Sequence, residues 1–250
     1  MDDVKLMQLV APRECFRVQR SGARTALCQT MIQEHMVSVW LNGALAFEQG
    51  CTNEHLDELV LGHLLTEGYV QELRQIRAFS CEQPQAEQTI FQVYLERGQS
   101  PARALAPAAW DAEWIFRQAD IFAQDSALHA RTGAAHSCML TCQEELLCRR
   151  EDLGRHNALD KVIGWAMKNH VALSRCMLYS SGRIPVDMMH KVIACGVGVI
   201  ASNAAATAQA IELAQRYGIT LLCNVRTDKF DVFHDAYRKR LDQNRKEGLQ

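Results

Sequence analysis

No apolar run in this chain approaches the ~18 residues that a membrane-spanning helix requires. The opening residues, Met1-Asp2-Asp3, lack the basic-then-apolar order of a secretory signal, which points to a cytoplasmic protein. An excess of one charge is missing too. The 27 lysines and arginines face 29 aspartates and glutamates, for a formal net charge of −2. That leaves no bulk basic field to draw in nucleic acid. The chain has no internal repeat, no low-complexity tail, no Walker pattern and no G-x-G-x-x-G. Cysteine breaks this run of scarcities, with ten residues, none of them in C-x-x-C spacing. In a reducing cytosol most should be thiols. Cys176, Cys195 and Cys223 fall in apolar strand or helix patterns and read as small core hydrophobes.

What is present is ordinary in bulk. With 250 residues, 48% of them hydrophobic and 22% charged, the chain can form one large domain or two small ones. The alternation from Glu34 to Phe47, broken at Asn42-Gly43, predicts a strand with a turn. Thr52 is placed to cap a helix that carries Leu56, Leu59, Val60, His63 and Leu64 at helical spacing and closes at Gly68. Residues 70–80 and 89–96 read as strands, and Trp110–Phe122 as an amphipathic helix. Between them, Arg97–Pro107 holds two prolines and a glycine, which predicts a loop and a boundary between units 1–108 and 109–250. The second unit alternates: hairpin 137–142/145–149, helix 157–169, strand 173–179, helix 185–195, strand 197–202, helix 204–217, strand 219–225, strand 230–233 and a charged terminal helix. Near-continuous apolar strands between helices predict a layered α/β domain with a sheet covered on both faces. Ligands in such sheets gather at the carboxyl ends of the strands. Arg150–His156, Ser180–Arg183, Ser202–Ala206 and Arg226–Lys229 all follow strands, and they converge if those strands run parallel.

The densest chemistry lies in Arg150-Glu151-Asp152-Leu153-Gly154-Arg155-His156-Asn157-Ala158-Leu159-Asp160-Lys161, where six of the twelve residues are charged. As an anion site, Gly154 permits a tight turn. Asn157 caps the helix, and the helix N-terminus offers free N–H groups. Arg150 and Arg155 supply bidentate contacts, while Asp152 orients ligand or loop. The plain alternative is a solvated loop and helix start. Ser180-Ser181-Gly182-Arg183, between a strand and a helix, also suits a phosphate, though it reads equally as an ordinary turn. His136, after Arg131-Thr132-Gly133, is either an acid, base or ligand binder or a buried structural histidine. Cys138, Cys142 and Cys148 raise the question of zinc. In a strand, however, Cys138 and Cys142 stand about 13 Å apart, and the H-x-E order of zinc deaminases is absent at His136-Ser137-Cys138.

These motifs give the chain a resemblance to the formate dehydrogenase accessory sulfurtransferases, the FdhD/NarQ family. Arg150–Lys161 resembles the family's R-E-D-[VI]-G-R-H-N-A-[LV]-D-K signature. Arg131-Thr132-Gly133 with His136 resembles its R-T-G-G-x-H, and Ser181-Gly182-Arg183 with Met188 and Lys191 its S-G-R-x-S-x-E-M-x-x-K. Ala201–Ala206 is similar to a V-S-A-P-T loop, and Leu61–Gly68 to G-F-L-x-x-E-G. The resemblance spans roughly residues 30–235. It implies a C-terminal domain of the cytidine-deaminase type without zinc, a small N-terminal α/β domain, and a homodimer. It also implies binding of the molybdenum bis-molybdopterin guanine dinucleotide cofactor or of GDP as its mimic, with formate dehydrogenase and a cysteine desulfurase as partners. Asn224-Val225-Arg226-Thr227-Asp228-Lys229 aligns with the family's C-terminal cofactor segment.

One departure bears on the activity. The family carries a C-x-x-C pair on a loop upstream of the R-T-G motif, and one of its cysteines holds the persulfide. Here the corresponding stretch, Arg97–Leu105, has no cysteine, and none occurs between Cys81 and Cys138. Without a thiolate, that loop cannot accept sulfur. Either the protein binds the cofactor without transferring sulfur, which is the preferred reading, or another thiol has taken over. Cys138 is then the first substitute and Cys142 the second, with neighbouring arginines to lower the thiol pKa. The expected ligand contacts are Arg150, Arg155 and Arg183 on phosphate, Asp152 and His156 as orienting groups, and Lys191 and Lys229 as added positive potential. A non-catalytic chaperone and a zinc hydrolase are the alternatives.

Overall fold

The computed structural model describes residues 3–96, 108–124 and 126–238. A short helix α1 (Asp3–Gln8) leads into a two-stranded ribbon, β1 (Val10–Val18) and β2 (Arg24–Ile32), a region whose sequence signals are weak. A four-stranded sheet follows, built from β3 (His35–Leu41), β4 (Ala44–Cys51), β5 (Ile76–Gln85) and β6 (Gln88–Leu95) in the order β4-β3-β6-β5. Asn42 and Gly43 both have positive φ, 51° and 84°. This is the two-residue turn that Asn-Gly favours in hairpins.

Helix α2 (Leu56–Thr66) starts later than expected, after His55 at φ 54°. Thr52 does not cap it. Its backbone N–H and hydroxyl both donate to Asp152 Oδ2, 3.0 Å away, so a tertiary hydrogen bond has taken the group a local cap would use. The anticipated boundary loop at 97–107 lies outside the described residues, as does most of the charged C-terminal helix.

The rest is a six-stranded sheet flanked by helices: α3 (Ala112–Gln124), α4 (Ala127–Thr132), β7 (His136–Cys142), β8 (Glu145–Asp152), α5 (Arg155–Lys168), β9 (Cys176–Ser180), α6 (Val186–Cys195), β10 (Val199–Ser202), α7 (Ala208–Tyr217), β11 (Thr220–Cys223) and β12 (Asp231–His234). The strand order is β12-β11-β10-β9-β7-β8. Residues alternate between its faces, as the pleat requires. Cys138, Leu140, Leu178 and Ile200 join α5, α6 and α7 on one face. Met139, Met177, Tyr179 and Val199 pack on Trp114, Ile115 and Phe122 of α3 on the other. The mixed α/β class is as expected, and so is the covering of both faces.

One hydrophobic cluster runs from Val37, Val39 and Phe91 of the four-stranded sheet, through Leu59 and Leu64 of α2 and Leu159 and Ile163 of α5, to the six-stranded sheet. Helices α2 and α5 cross at backbone contact. A Cβ on Gly62 would lie 1.8 Å from the Asp160 carbonyl oxygen, and one on Gly164 would lie 1.8 Å from that of Glu58. Only glycine fits at either position.

Candidate functional site

β9, β10 and β11 are mutually parallel. β7 is antiparallel to both β8 and β9, so β8 runs with the other three. The carboxyl ends of β8, β9, β10 and β11 therefore share one edge of the sheet with the start of β7, and the expected convergence of loops follows. The loops are laced together there. Ser181 N–H donates to the Ser137 carbonyl (2.9 Å), Asn203 N–H to that of Ser180 (3.1 Å), and Ser202 Oγ to that of Gly182 (2.7 Å). A parallel bridge joins Ile184 to Ala206.

Two cavities open at this edge. One, of about 480 Å³, is lined by His129, Gly133, His136, Ser181 and Asn203, with Phe122 and Arg149 behind them. The other, of about 570 Å³, is lined by Arg155, Arg183, Asp187, His190 and Thr207. The wall between them is tight, because a Cβ on Gly182 would come within 2.8 Å of the Arg155 side chain. His136 Nδ1 is 3.1 Å from Ser181 Oγ, which also accepts from Ser137 N–H at 3.0 Å. Arg155 Nη2 is 3.9 Å from Asp187 Oδ2. His156 Nε2 lies 3.0 Å from the same oxygen. Arg155 Nε is buried without a hydrogen-bond partner in the structure. Burial lowers the pKa of His136, and the nearby Arg155 guanidinium lowers it further. Burial likewise lowers that of His156, against the pull of Asp187 and with the help of Arg155. Both imidazoles are therefore held towards the neutral form.

Within the charged Arg150–Lys161 run, only Arg155 lines either cavity, and His156 adjoins it through Asp187. Arg150 is corrected from phosphate ligand to structural cation: it makes a bidentate pair with Glu58 of α2, at 2.6 and 2.9 Å. Glu151 accepts from the N–H groups of Leu128 and His129 at the start of α4. Asp152 is fully buried 2.6 Å from Lys161 Nζ and also accepts from Gly154 N–H and Asn157 Nδ2. It therefore orients the loop, but no ligand can reach it. Gly154, in extended conformation, is the residue that precedes α5. Asn157 does not cap that helix, which begins two residues earlier. Its amide donates to the Gly50 carbonyl at 2.8 Å and accepts from Gln49. Lys191 is also corrected. It is buried against Asp160 (2.9 Å), Glu67 (2.8 Å) and Thr66 (2.9 Å), so its charge is spent inside the protein.

The remaining expected residues are divided. Gly133 closes α4 at φ 67° and lines the first cavity. Thr132 turns its hydroxyl back to the Leu128 carbonyl (2.7 Å), and Arg131 is exposed with Nη2 4.0 Å from Met7 Sδ. Gly182 is buried, and its N–H donates to Ser180 Oγ at 3.1 Å. In the Asn224–Lys229 loop, Asn224 binds Asp231, Val225 is buried, and Arg226 donates to the Asn203 carbonyl at 2.6 Å. Thr227, Asp228 and Lys229 are exposed and line neither cavity. Asn203 lies within the Ser202–Ala206 loop already marked by its place after a strand, while sequence reasoning passed over Arg149, Phe122, Asp187 and His190.

Neither substitute thiol suits a relay. Cys138 is fully buried, and burial pushes its pKa well up rather than down. Cys142 ends β7, at the opposite edge of the sheet from His136 and about 20 Å along the strand. The other core thiols follow Cys138: burial holds Cys51, Cys148, Cys176 and Cys223 each at about 12. Among the described residues, no group of three or more His, Cys, Asp or Glu side chains is placed to hold a metal ion.

The FdhD/NarQ family model matches residues 85–240. The chain belongs to this family. It is 27% identical to the sulfur carrier protein FdhD of Bacillus subtilis, covering 93% of this chain and 98% of the relative. It is 28% identical to that of Methanothermobacter thermautotrophicus, covering 93% and 99%. Its fold is similar to the crystal structure of a Desulfotalea psychrophila protein assigned as a formate dehydrogenase accessory protein, with TM-score 0.78 and 24% identity over 92% of this chain and 99% of the other. Among the described residues, no helix is long and apolar enough to cross a membrane.

Proposed function

We propose that this protein is a cytoplasmic accessory factor for formate dehydrogenase. It holds the guanine dinucleotide end of a molybdenum bis-molybdopterin guanine dinucleotide cofactor in the paired cavities, for delivery to the catalytic subunit. The names of its relatives support the accessory role. The observation that carries the ligand is the convergence of Arg155, Arg183, His136 and Ser181 at one strand edge, with Arg155 Nε buried and unpartnered. A buried donor without a partner is costly, and a diphosphate oxygen would satisfy it. Arg155 and Arg183 hold the phosphates, a task that suits the planar guanidinium fork. The cavity lined by Phe122 and Arg149 takes the flat part of the ligand. GDP is the smallest probe of this arrangement.

Sulfur carriage is the finer question. With no cysteine between Cys81 and Cys138, Cys138 buried and Cys142 at the far edge, the reading favoured is a cofactor carrier, homodimeric as in the family, that does not relay persulfide. Arg155→Ala should weaken GDP binding at least about tenfold, since charge-assisted hydrogen bonds are worth about 1.5–3 kcal/mol. Calorimetry showing unchanged affinity would remove Arg155 from the site. Mass spectrometry after incubation with a cysteine desulfurase and cysteine tests the second point: sulfur gained on any cysteine restores the transfer role.

A further inference from the structure

The β1–β2 ribbon lines neither cavity, yet its charge is strongly uneven. Between Val10 and Ile32 it carries four arginines and one acidic residue, Glu14, in a protein whose formal net charge is −2. Arg13, Arg17, Arg20 and Arg24 are all exposed. No salt bridge joins any of them to another of the described residues. Arg13 only donates to the adjacent Pro12 carbonyl, at 3.0 Å. Pairing places Arg17 opposite Thr25 and Val18 opposite Arg24, and Arg20 lies in the turn closed by Gly22 at φ 86°. Arg17, Arg20 and Arg24 thus gather at the distal end of the ribbon, with Arg13 nearer its base. Large apolar groups stand in the open beside Arg24, on the face opposite Arg13 and Arg17: Phe16 is 73% exposed and Val18 61%. Both strands keep one edge unpaired. A lone two-stranded ribbon is at best marginally stable in water, and this one is anchored at its base. There Leu9, Val10 and Ile32 pack on Leu128 and Ala135. Ala135 itself lines the His136 cavity, so the arm rises from the rim of the proposed ligand site.

We propose that the β1–β2 ribbon is a docking arm for an acidic protein surface, that of the enzyme subunit which takes up the ligand held in the crevice. This rests on the accessory role proposed above, because a recipient must approach the cavity mouth where the arm is rooted. Arginine and aromatic groups are the residue types that dominate interface energetics. Exposed charges of one sign accelerate encounter with the opposite sign in a salt-dependent way. A protein fits better than a nucleic acid, since Phe16 and Val18 need an apolar counterpart and the free strand edges offer backbone pairing.

The test uses the full chain and purified cofactor-free formate dehydrogenase catalytic subunit, with affinity measured by interferometry at low and high salt. The variant Arg13→Glu, Arg17→Glu, Arg20→Glu, Arg24→Glu should bind at least about tenfold more weakly at low salt, with the gap closing as salt rises. The matching four-lysine variant should restore most of the affinity, and GDP binding should be unchanged in both, which reports intact folding. Equal subunit binding by the glutamate variant overturns the docking arm and leaves the accessory role standing. A wild-type protein that does not bind the subunit overturns both. If the arginines govern binding to a single-stranded RNA oligonucleotide and leave subunit affinity untouched, the partner class is wrong.

Discussion

Replacing Lys161 by methionine removes the cation from a carboxylate with no access to water. Lys161 and Asp152 are both 0% exposed, with Nζ 2.6 Å from Oδ2. The ammonium also donates to Thr52 Oγ1 at 2.7 Å and to the Thr52 carbonyl at 3.3 Å. Breaking a buried ion pair by deleting one partner costs about 3–5 kcal/mol. In Lys161→Met the surviving carboxylate keeps four donors: Thr52 N–H and Oγ1, Gly154 N–H and Asn157 Nδ2. The cost should fall at the lower end, about 3 kcal/mol. Asp152→Asn should be worse. Donors face both carboxylate oxygens, so either orientation of the new amide sets an NH2 group against two or more of them and leaves Lys161 a buried charge. That puts the loss near about 5 kcal/mol, and the double variant should lose less than the sum of the singles because the sites are in contact. Urea unfolding followed by tryptophan fluorescence measures all three, with free energy taken from midpoint and slope. A Lys161→Met protein within about 0.5 kcal/mol of wild type, the range expected for surface substitutions, would refute the lock. So would an Asp152→Asn protein no less stable than Lys161→Met.

Three further outcomes follow from the same structure. Gly164→Ala should destabilise by about 3 kcal/mol or more, at the top of the range for overpacking, because the new methyl meets the Glu58 carbonyl 1.8 Å away; an unchanged urea midpoint would show that α2 and α5 can part at no cost. His136 and His156 have pKa values lowered below their unfolded value of 6.5. The unfolded chain therefore takes up protons first, and their contribution to stability is present above that value and is lost as pH falls below it. The His136→Gln, His156→Gln double variant should lose part of the wild-type decline in stability below about pH 6.5, and an identical decline would exclude both groups as its source. Iodoacetamide should modify exposed Cys28 and Cys81 in the folded protein and reach Cys138 only on unfolding; labelling of Cys138 at the rate of Cys28 would contradict its burial.

The strands and helices of the second half were legible because their signals are local. Each strand is an apolar run, and each loop after a strand falls where the topology gathers it. The failures share one cause. Thr52 has cap chemistry, Asn157 has cap chemistry, and Arg150 and Lys191 have phosphate chemistry, yet each is committed to a partner 92 residues or more away in the chain, with Lys191 also meeting Asp160. A sequence window sees the side chain and not the distant claimant. For a mixed-charge cluster, the readable warning is balance. The run Arg150–Lys161 holds three charges of each sign, as a self-satisfied network does, whereas a site for an anion leaves cations over. Arg183 is left over in that sense, and Arg155 is only loosely offset by Asp187 at 3.9 Å.

This division gives α5 two tasks that constrain each other. Its inward face carries Asp160, Lys161 and Gly164 into the crossing with α2. Its first turn carries Arg155 and His156 to the crevice. Asp152 joins the two tasks, since one oxygen binds Lys161 and Thr52 while the other holds Gly154 N–H and Asn157. The residue before the helix is thus fixed by the carboxylate that ties α5 to Thr52, ahead of α2. A ligand site needs guanidinium groups held to a fraction of an ångström, and here that precision comes from a buried ion pair behind the site rather than from contacts within it. Substitutions in the lock that leave the fold intact should therefore loosen Arg155 and weaken ligand binding without touching the ligand, and Asp152→Asn should do so more than Lys161→Met. GDP calorimetry on the two variants below their unfolding transitions decides it, and equal affinities would mean that Gly182 packing alone positions Arg155.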